Sequence, residues 1–362
     1  MKLSAKVLVI GGGPAGSTAA RILAAEGTDV ILIEKNTSFA KPCGGGLAMS
    51  AFAESGIPHT LITNEVNTLR LISPSENRVD IPLNEHSLAI VERAAFDSTL
   101  RQRAEERGAE ILEGEFMHVT RQRLNRSAVI VQGLRHDIIS EFIVAADGVN
   151  SRARTALGIK PVRSLFTASA ILPLPYSACC EFWFGSSHAS HSYAWVFPAG
   201  SGCTIGTGAS RQGEIVGLFE KFRQRKGIEA PVKRRIYRIP LWTGDLYNIG
   251  NVLFAGDAAG QVMPLTYEGI YYAMKAGELA AESILEGTVH NYRKRWKQRF
   301  EKRFMLMEKL RNYFLKDDAS AEKLVQLHMR PDIQAASLRL WIGKDSQKES
   351  LRDYVRIFRK FL

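Results

Sequence analysis

Lys6-Val7-Leu8-Val9-Ile10-Gly11-Gly12-Gly13-Pro14-Ala15-Gly16 is the stretch on which the fold of this chain turns. A short apolar, largely β-branched run meets a glycine cluster, and Ala15 to Ala25 is alanine-rich and favours helix. Strand, tight turn and helix follow in that order, so Gly11, Gly13 and Gly16 satisfy G-x-G-x-x-G in the context that gives the pattern meaning. Gly11 permits the turn, Gly13 lets the backbone approach a pyrophosphate, and Gly16 lets helix lie close on strand. Pro14 and Ala15, at the helix start, belong to the same site. Val30 to Ile33 reads as a second buried strand ending at Glu34, whose carboxylate suits the two ribose hydroxyls of a nucleotide and repels a 2′-phosphate. Lys35 is placed beside it.

Further along, Lys41 to Leu47 is a glycine-rich loop, Leu69 to Pro82 reads as short strands, and Glu92 to Arg107 has apolar residues at helical spacing. Ile143 to Ala146 is a buried strand running into Asp147-Gly148, and Val252 to Ala255 another running into Gly256-Asp257. Aromatic and β-branched residues recur between turn signals from Phe166 to Ile239, and a long helix starts near Gly269. The expected fold is α/β. A Rossmann-like nucleotide-binding domain, discontinuous over 1–60, 90–165 and 245–290, carries an inserted β-rich substrate domain from 61–89 and 166–244. A C-terminal helical region follows at 291–362. There Trp296, Phe300, Phe304, Met307 and Leu310 share one helix face among basic residues, a stripe that suits either packing on the body or contact with a membrane surface.

The 362 residues suffice for about two domains, and 45% hydrophobic with 23% charged residues is an ordinary globular composition. The spacing of Cys43, Cys179, Cys180 and Cys203 fits neither a zinc ribbon nor an iron–sulfur run, so no metal is expected. Few cysteines, and a glycine-studded N-terminus unlike a secretory leader, point to a cytoplasmic protein, free or peripheral on the inner face of a membrane. The net charge of +11 suits a solvated surface or an anionic partner, whether phospholipid, a diphosphate or an acidic protein. No nucleic-acid-binding module is present to favour nucleic acid.

Three separated motifs narrow the nucleotide. Gly256-Asp257-Ala258-Ala259 after a strand, Arg93-x-x-x-Asp97 on a helix and the glycine loop together resemble the flavoprotein group that includes p-hydroxybenzoate hydroxylase and the geranylgeranyl reductases. The resemblance implies FAD, with Asp257 on the ribityl or ribose hydroxyls, Arg93 on the FAD backbone, and the helix at Gly269 and Ile270 aimed at the flavin and pyrophosphate. Lys41-Pro42-Cys43-Gly44-Gly45-Gly46, Glu268-Gly269-Ile270-Tyr271 and Tyr193-Ala194-Trp195-Val196-Phe197-Pro198 resemble signatures of the geranylgeranyl reductase family itself. Gly44 and Gly45 then pack against the flavin and Cys43 lies beside it, as a proton donor or redox group or as a small apolar spacer.

If the resemblance holds, the reaction is hydrogenation of isolated alkenes in a polyprenyl lipid or diphosphate by hydride from N5 of reduced flavin, with a proton completing the second carbon. Such alkenes offer no polar handle, so catalysis rests on positioning in a dry pocket. Tyr193, Trp195, Phe197 and Phe184 are the expected apolar wall, though each also suits ordinary sheet core. Two electron donors stand open, NADPH and reduced ferredoxin, the latter suited to a basic surface. The rivals are a flavin monooxygenase, against which the Lys-Pro-Cys-Gly-Gly loop speaks, and a non-catalytic prenyl-lipid-binding flavoprotein. A flavin halogenase lacks support because the first tryptophan of its Trp-x-Trp-x-Ile-Pro element is missing.

Overall fold

The computed structural model describes residues 2–173, 177–229, 231–342 and 356. Of the helical region expected at 291–362, residues 343–355 and 357–362 lie outside the described residues.

Lys2–Ile10 is the middle of the five parallel strands of the first sheet, paired with Val30–Glu34 on one side and with Leu134–Ala145 on the other. Outward from it come Glu110–Arg121 on one flank and Val252–Phe254 on the other, all parallel. Val7, Leu8, Val9 and Ile10 are almost fully buried, as a run apolar on both faces requires. This is the strand order of a dinucleotide fold, and it gathers Gly11, Glu34, Ala146 and Gly256 at one end of the sheet. The strand expected at Ile143 begins nine residues earlier. Asn125–Val131 forms antiparallel hairpins with both Glu110–Arg121 and Leu134–Ala145, extending them beyond the parallel core.

Helix Pro14–Ala25 covers one face of this sheet and is covered in turn by helix Ile270–Leu285. Their backbones touch at Gly277, where a Cβ would lie 3.0 Å from the Ala15 carbonyl carbon and 3.2 Å from the Ala19 nitrogen.

A second seven-stranded sheet runs in the order Arg235–Pro240, Ser164–Leu172, Gly202–Ala209, Ala194–Ala199, Cys180–Trp183, Thr68–Ile72, Arg78–Pro82. One face is closed by helix Ile215–Arg225, through Ile215, Phe219 and Phe222, all fully buried. The other faces the first sheet across a cavity. A small sheet of Gly46–Ala48, Leu88–Val91 and Ile62–Val66 lies between them, so the expected 41–47 loop ends as a strand.

The C-terminal stripe packs on the body: Trp296, Phe300, Phe304, Met307 and Leu310 are each at most 3% exposed. Phe304 meets Tyr272 at 4.9 Å and Trp242 at 5.5 Å between ring centroids. Helices Asp318–Leu327 and Pro331–Trp341 follow. Among the described residues no helix is long and apolar enough to cross a membrane.

Candidate active site

One continuous cavity of about 610 Å³ runs from the glycine loop to the second sheet. It is lined by Gly11, Gly13, Pro14, Ala15, Glu34, Lys35, Cys43, Gly44, Gly45, Arg93, Asp257, Gly269 and Ile270, and by Phe184, Tyr193, Trp195 and Phe197. Gly16 stands behind the wall. A Cβ there would overlap the Gly11 carbonyl and press on Val9, so its role is to let helix and strand close.

The loop has the geometry a pyrophosphate needs. Gly11 has φ +97°, and a Cβ on it would lie 2.7 Å from the Ala146 carbonyl carbon. At Gly13 the reverse holds: a Cβ would meet nothing within 4 Å, so this backbone faces open cavity at the first turn of helix Pro14–Ala25. Glu34 braces the loop, its carboxylate accepting from Gly12 N–H at 2.6 Å and Asn36 N–H at 3.0 Å.

On the facing side, Lys41 Nζ forms an ion pair with Asp257 and lies 5.6 Å from the Tyr237 ring centroid. The Tyr237 phenol is raised by burial, with Lys41 opposing the shift. Asp257 stands under the start of helix Ile270–Leu285, its Oδ1 3.7 Å from where a Gly269 Cβ would be. Asp147 is pushed up by burial, against hydrogen bonds from the Ser151 hydroxyl (2.6 Å) and Ala153 N–H (2.9 Å). Those bonds make it a brace of the turn after its strand.

Cys43 is half-buried and held by two donors, Gly45 N–H at 3.3 Å and the Arg93 guanidinium at 3.6 Å. Arg93 is itself fixed by Asp97 through bonds of 3.2 and 2.7 Å. The Arg-x-x-x-Asp pair therefore addresses the sulfur directly. Gly44 leaves room for Phe197, whose Cδ2 would lie 2.5 Å from a Cβ there.

Strand register brings Trp195, Phe182 and Leu71 side by side on the cavity wall. Across one row of paired residues run Arg235, Ser169, Gly206, Trp195, Phe182 and Leu71, polar at one end and aliphatic at the other. Gly206 carries no side chain because the Trp195 indole lies on it, Cε2 falling 2.6 Å from where a Cβ would be. Phe182 touches Tyr193 and Phe197 at 5.1 and 5.2 Å between ring centroids. The Tyr193 hydroxyl donates to the Thr266 carbonyl at 2.6 Å, and burial raises its phenol far above the usual range.

Arg101 was not singled out by sequence. It is 8% exposed, lines the cavity, and donates to the carbonyls of Gly12 (3.1 Å) and Thr37 (2.6 Å). The signal was present, since residues 93, 97 and 101 continue one helix face at intervals of four. Leu324, Trp341 and Ile342 also reach the cavity from the C-terminal helices, and nothing in their local sequence announces it.

Residues 4–283 match the FAD binding domain family. The chain belongs to that family. Among its relatives, the geranylgeranyl diphosphate reductase of Synechocystis is 28% identical over 375 residues, covering 94% of this chain and 92% of that protein. The digeranylgeranylglycerophospholipid reductase of Methanocaldococcus jannaschii is 29% identical over 396 residues, covering 96% and 97%. Among solved structures, a geranylgeranyl bacteriochlorophyll reductase-like protein from Thermoplasma acidophilum superposes with a TM-score of 0.84 at 23% identity over the whole of both chains. The flavin-dependent brominase Bmp2 gives 0.78 at 18%, covering 99% and 98%, so the scaffold itself serves more than one chemistry. The open backbone at Gly13 suits the pyrophosphate of the FAD that gives the family its description.

Proposed function

We propose that the protein hydrogenates isolated C=C bonds of a polyprenyl lipid or diphosphate of geranylgeranyl type. The observation that carries this reading is the continuity of the cavity: a phosphate-binding loop opens without a partition onto a floor of Phe182, Phe184, Tyr193, Trp195 and Phe197. A hydroxylase of small polar aromatics has no need of so apolar a limb. The reductase names carried by relatives that span nearly the full chain support the same conclusion.

Reduced FAD, when bound, supplies a hydride to one alkene carbon. What the chain supplies is position, dryness and a proton. The aromatic floor holds the prenyl segment by area burial and excludes water. Cys43 is the proton donor in this reading: its S–H bond breaks as the second alkene carbon takes the proton, and Arg93 and the Gly45 N–H stabilise the sulfur left negative. Water entering after product release restores the thiol. Arg93, Asp257, Lys41 and the loop residues 11–16 hold the cofactor. The segments 61–89 and 166–244 make up the substrate-facing layer and the remaining α/β pieces the cofactor layer. NADPH or reduced ferredoxin delivers the electrons, and a peripheral position on a membrane would bring the lipid substrate to the cavity.

The test is anaerobic. The holoprotein is reduced with dithionite, geranylgeranyl diphosphate is added, and the oxidised flavin band is followed alongside the product mass. Reoxidation with a gain of two mass units per reduced bond is expected. A flavin that stays reduced with every prenyl compound, yet forms a hydroperoxide intermediate in air, would replace this reading with a monooxygenase.

A further inference from the structure

Tyr267 has a backbone conformation that costs it energy, φ +53°, and two residues before it Leu265 has φ +74°. Left-handed backbone is unfavourable for a side-chain-bearing residue and costs glycine nothing comparable. The other non-glycine residues with positive φ include Asn84 and Gln132 in exposed turns, whereas Leu265 and Tyr267 line the cavity. Strain retained at such a place asks what the side chain does there.

The loop is pinned from both sides. Tyr267 N–H donates to the Met263 carbonyl and Met263 N–H to the Glu268 carbonyl, both at 3.0 Å. The Tyr267 hydroxyl donates to the His191 carbonyl at 3.1 Å, while the Tyr193 hydroxyl reaches the opposite way to Thr266. The two phenol rings sit 5.6 Å apart. Tyr267 thus stands as a fixed ring on the cavity wall, packed against Tyr193 of the apolar limb.

We propose that Tyr267 is a specificity-determining residue: its ring, held in place against a backbone that would prefer glycine, limits how long a prenyl chain the apolar limb accepts. This rests on the prenyl reading of the cavity. Replacing the ring by glycine relieves the backbone and lengthens the limb, so the fold is retained while the preferred chain shifts upward.

The experiment uses the oxidised holoprotein and the fully saturated analogues of geranyl, farnesyl, geranylgeranyl and geranylfarnesyl diphosphate, with binding read from perturbation of the flavin spectrum. Tyr267→Gly is expected to improve affinity for the longest analogue relative to farnesyl length by on the order of tenfold or more, and Tyr267→Phe to follow the wild type. Should the glycine variant fail to fold, Tyr267→Asn tests the same point, since asparagine tolerates left-handed backbone. An unchanged chain-length order in the variant overturns the proposal, as does a Phe variant that shifts as far as Gly, which would assign the effect to the hydroxyl. Analogue binding without turnover of geranylgeranyl diphosphate sinks the reductase reading alone. No binding of any analogue sinks both.

Discussion

Gly13→Ala separates cofactor binding from folding. Gly13 has φ −76° and ψ −174°, a conformation alanine adopts freely, and the added Cβ meets no protein atom within 4 Å. The apoprotein should therefore be as stable as the wild type, or about 0.4–1 kcal/mol more so through the narrower unfolded ensemble. The methyl group does, however, fill the space through which a pyrophosphate approaches the loop. Losing two backbone hydrogen bonds to a charged group, at about 1.5–3 kcal/mol each, removes about 3–6 kcal/mol of binding. FAD affinity should fall on the order of a hundred- to ten-thousand-fold. Urea unfolding of the apoprotein measures the first quantity and titration of flavin fluorescence the second. The companion Gly16→Ala should show the reverse order of damage, because its Cβ overlaps the Gly11 carbonyl and the backbone must move, at about 1–3 kcal/mol or more. A Gly13→Ala protein that binds FAD within about threefold of the wild type would refute the placement of the phosphate.

Cys43→Ala should lower the rate of flavin reoxidation by prenyl substrate in a single turnover by about 10²–10⁴-fold, with FAD affinity little changed; an unaltered rate would leave the sulfur a spacer. Arg101→Ala removes the side-chain donor to the Thr37 carbonyl and one of two donors to the Gly12 carbonyl, which keeps the Ser17 hydroxyl at 2.9 Å, so at a cost of about 1–3 kcal/mol both the thermal midpoint and FAD affinity should drop, the first visible by calorimetry in the apoprotein. His328 is held down to about 4 by burial, between the Leu324 carbonyl at 2.8 Å and the Ser337 hydroxyl at 3.0 Å. Its folded value lies below the ordinary 6.5, so its contribution is complete above that pH and is lost as the pH falls through about 4, up to about 3 kcal/mol. Urea midpoints measured from neutral pH downward should fall less steeply in His328→Gln, and superimposable curves would contradict this assignment.

The cofactor end was legible because its chemistry is local. Strand, glycine turn and helix occupy one short stretch, and Glu34 follows where the next strand must end. Gly206 shows the opposite case, since its lack of a side chain is explained only by Trp195 on a neighbouring strand, and pairing register is not written in either strand alone. The Lys41–Asp257 pair joins residues 216 positions apart. Arg101 needed only the extension of a helical spacing already noticed at Arg93 and Asp97. Leu324 and Trp341 reach the cavity through helix packing, which a helical apolar stripe permits without specifying its target. The left-handed backbone at Tyr267 had no sequence signal at all, because glycine and asparagine are the residues that advertise it.

The parallel pairing of Thr68–Ile72 with Cys180–Trp183 has a consequence for synthesis. The Thr68–Pro82 ribbon leaves the ribosome about a hundred residues before the strand that will cover its free edge, a wait of roughly 5–20 s at ordinary elongation rates. Until then Leu69, Leu71 and Ile81 have no sheet to join. The ribbon is equipped for the interval: Arg70 and Asp80 stand directly opposite one another across it, bonded at 2.6 and 2.8 Å, and fix its register from within. Their charges, with Arg78 at the mouth, also discourage a neighbouring nascent chain from adding to that edge first.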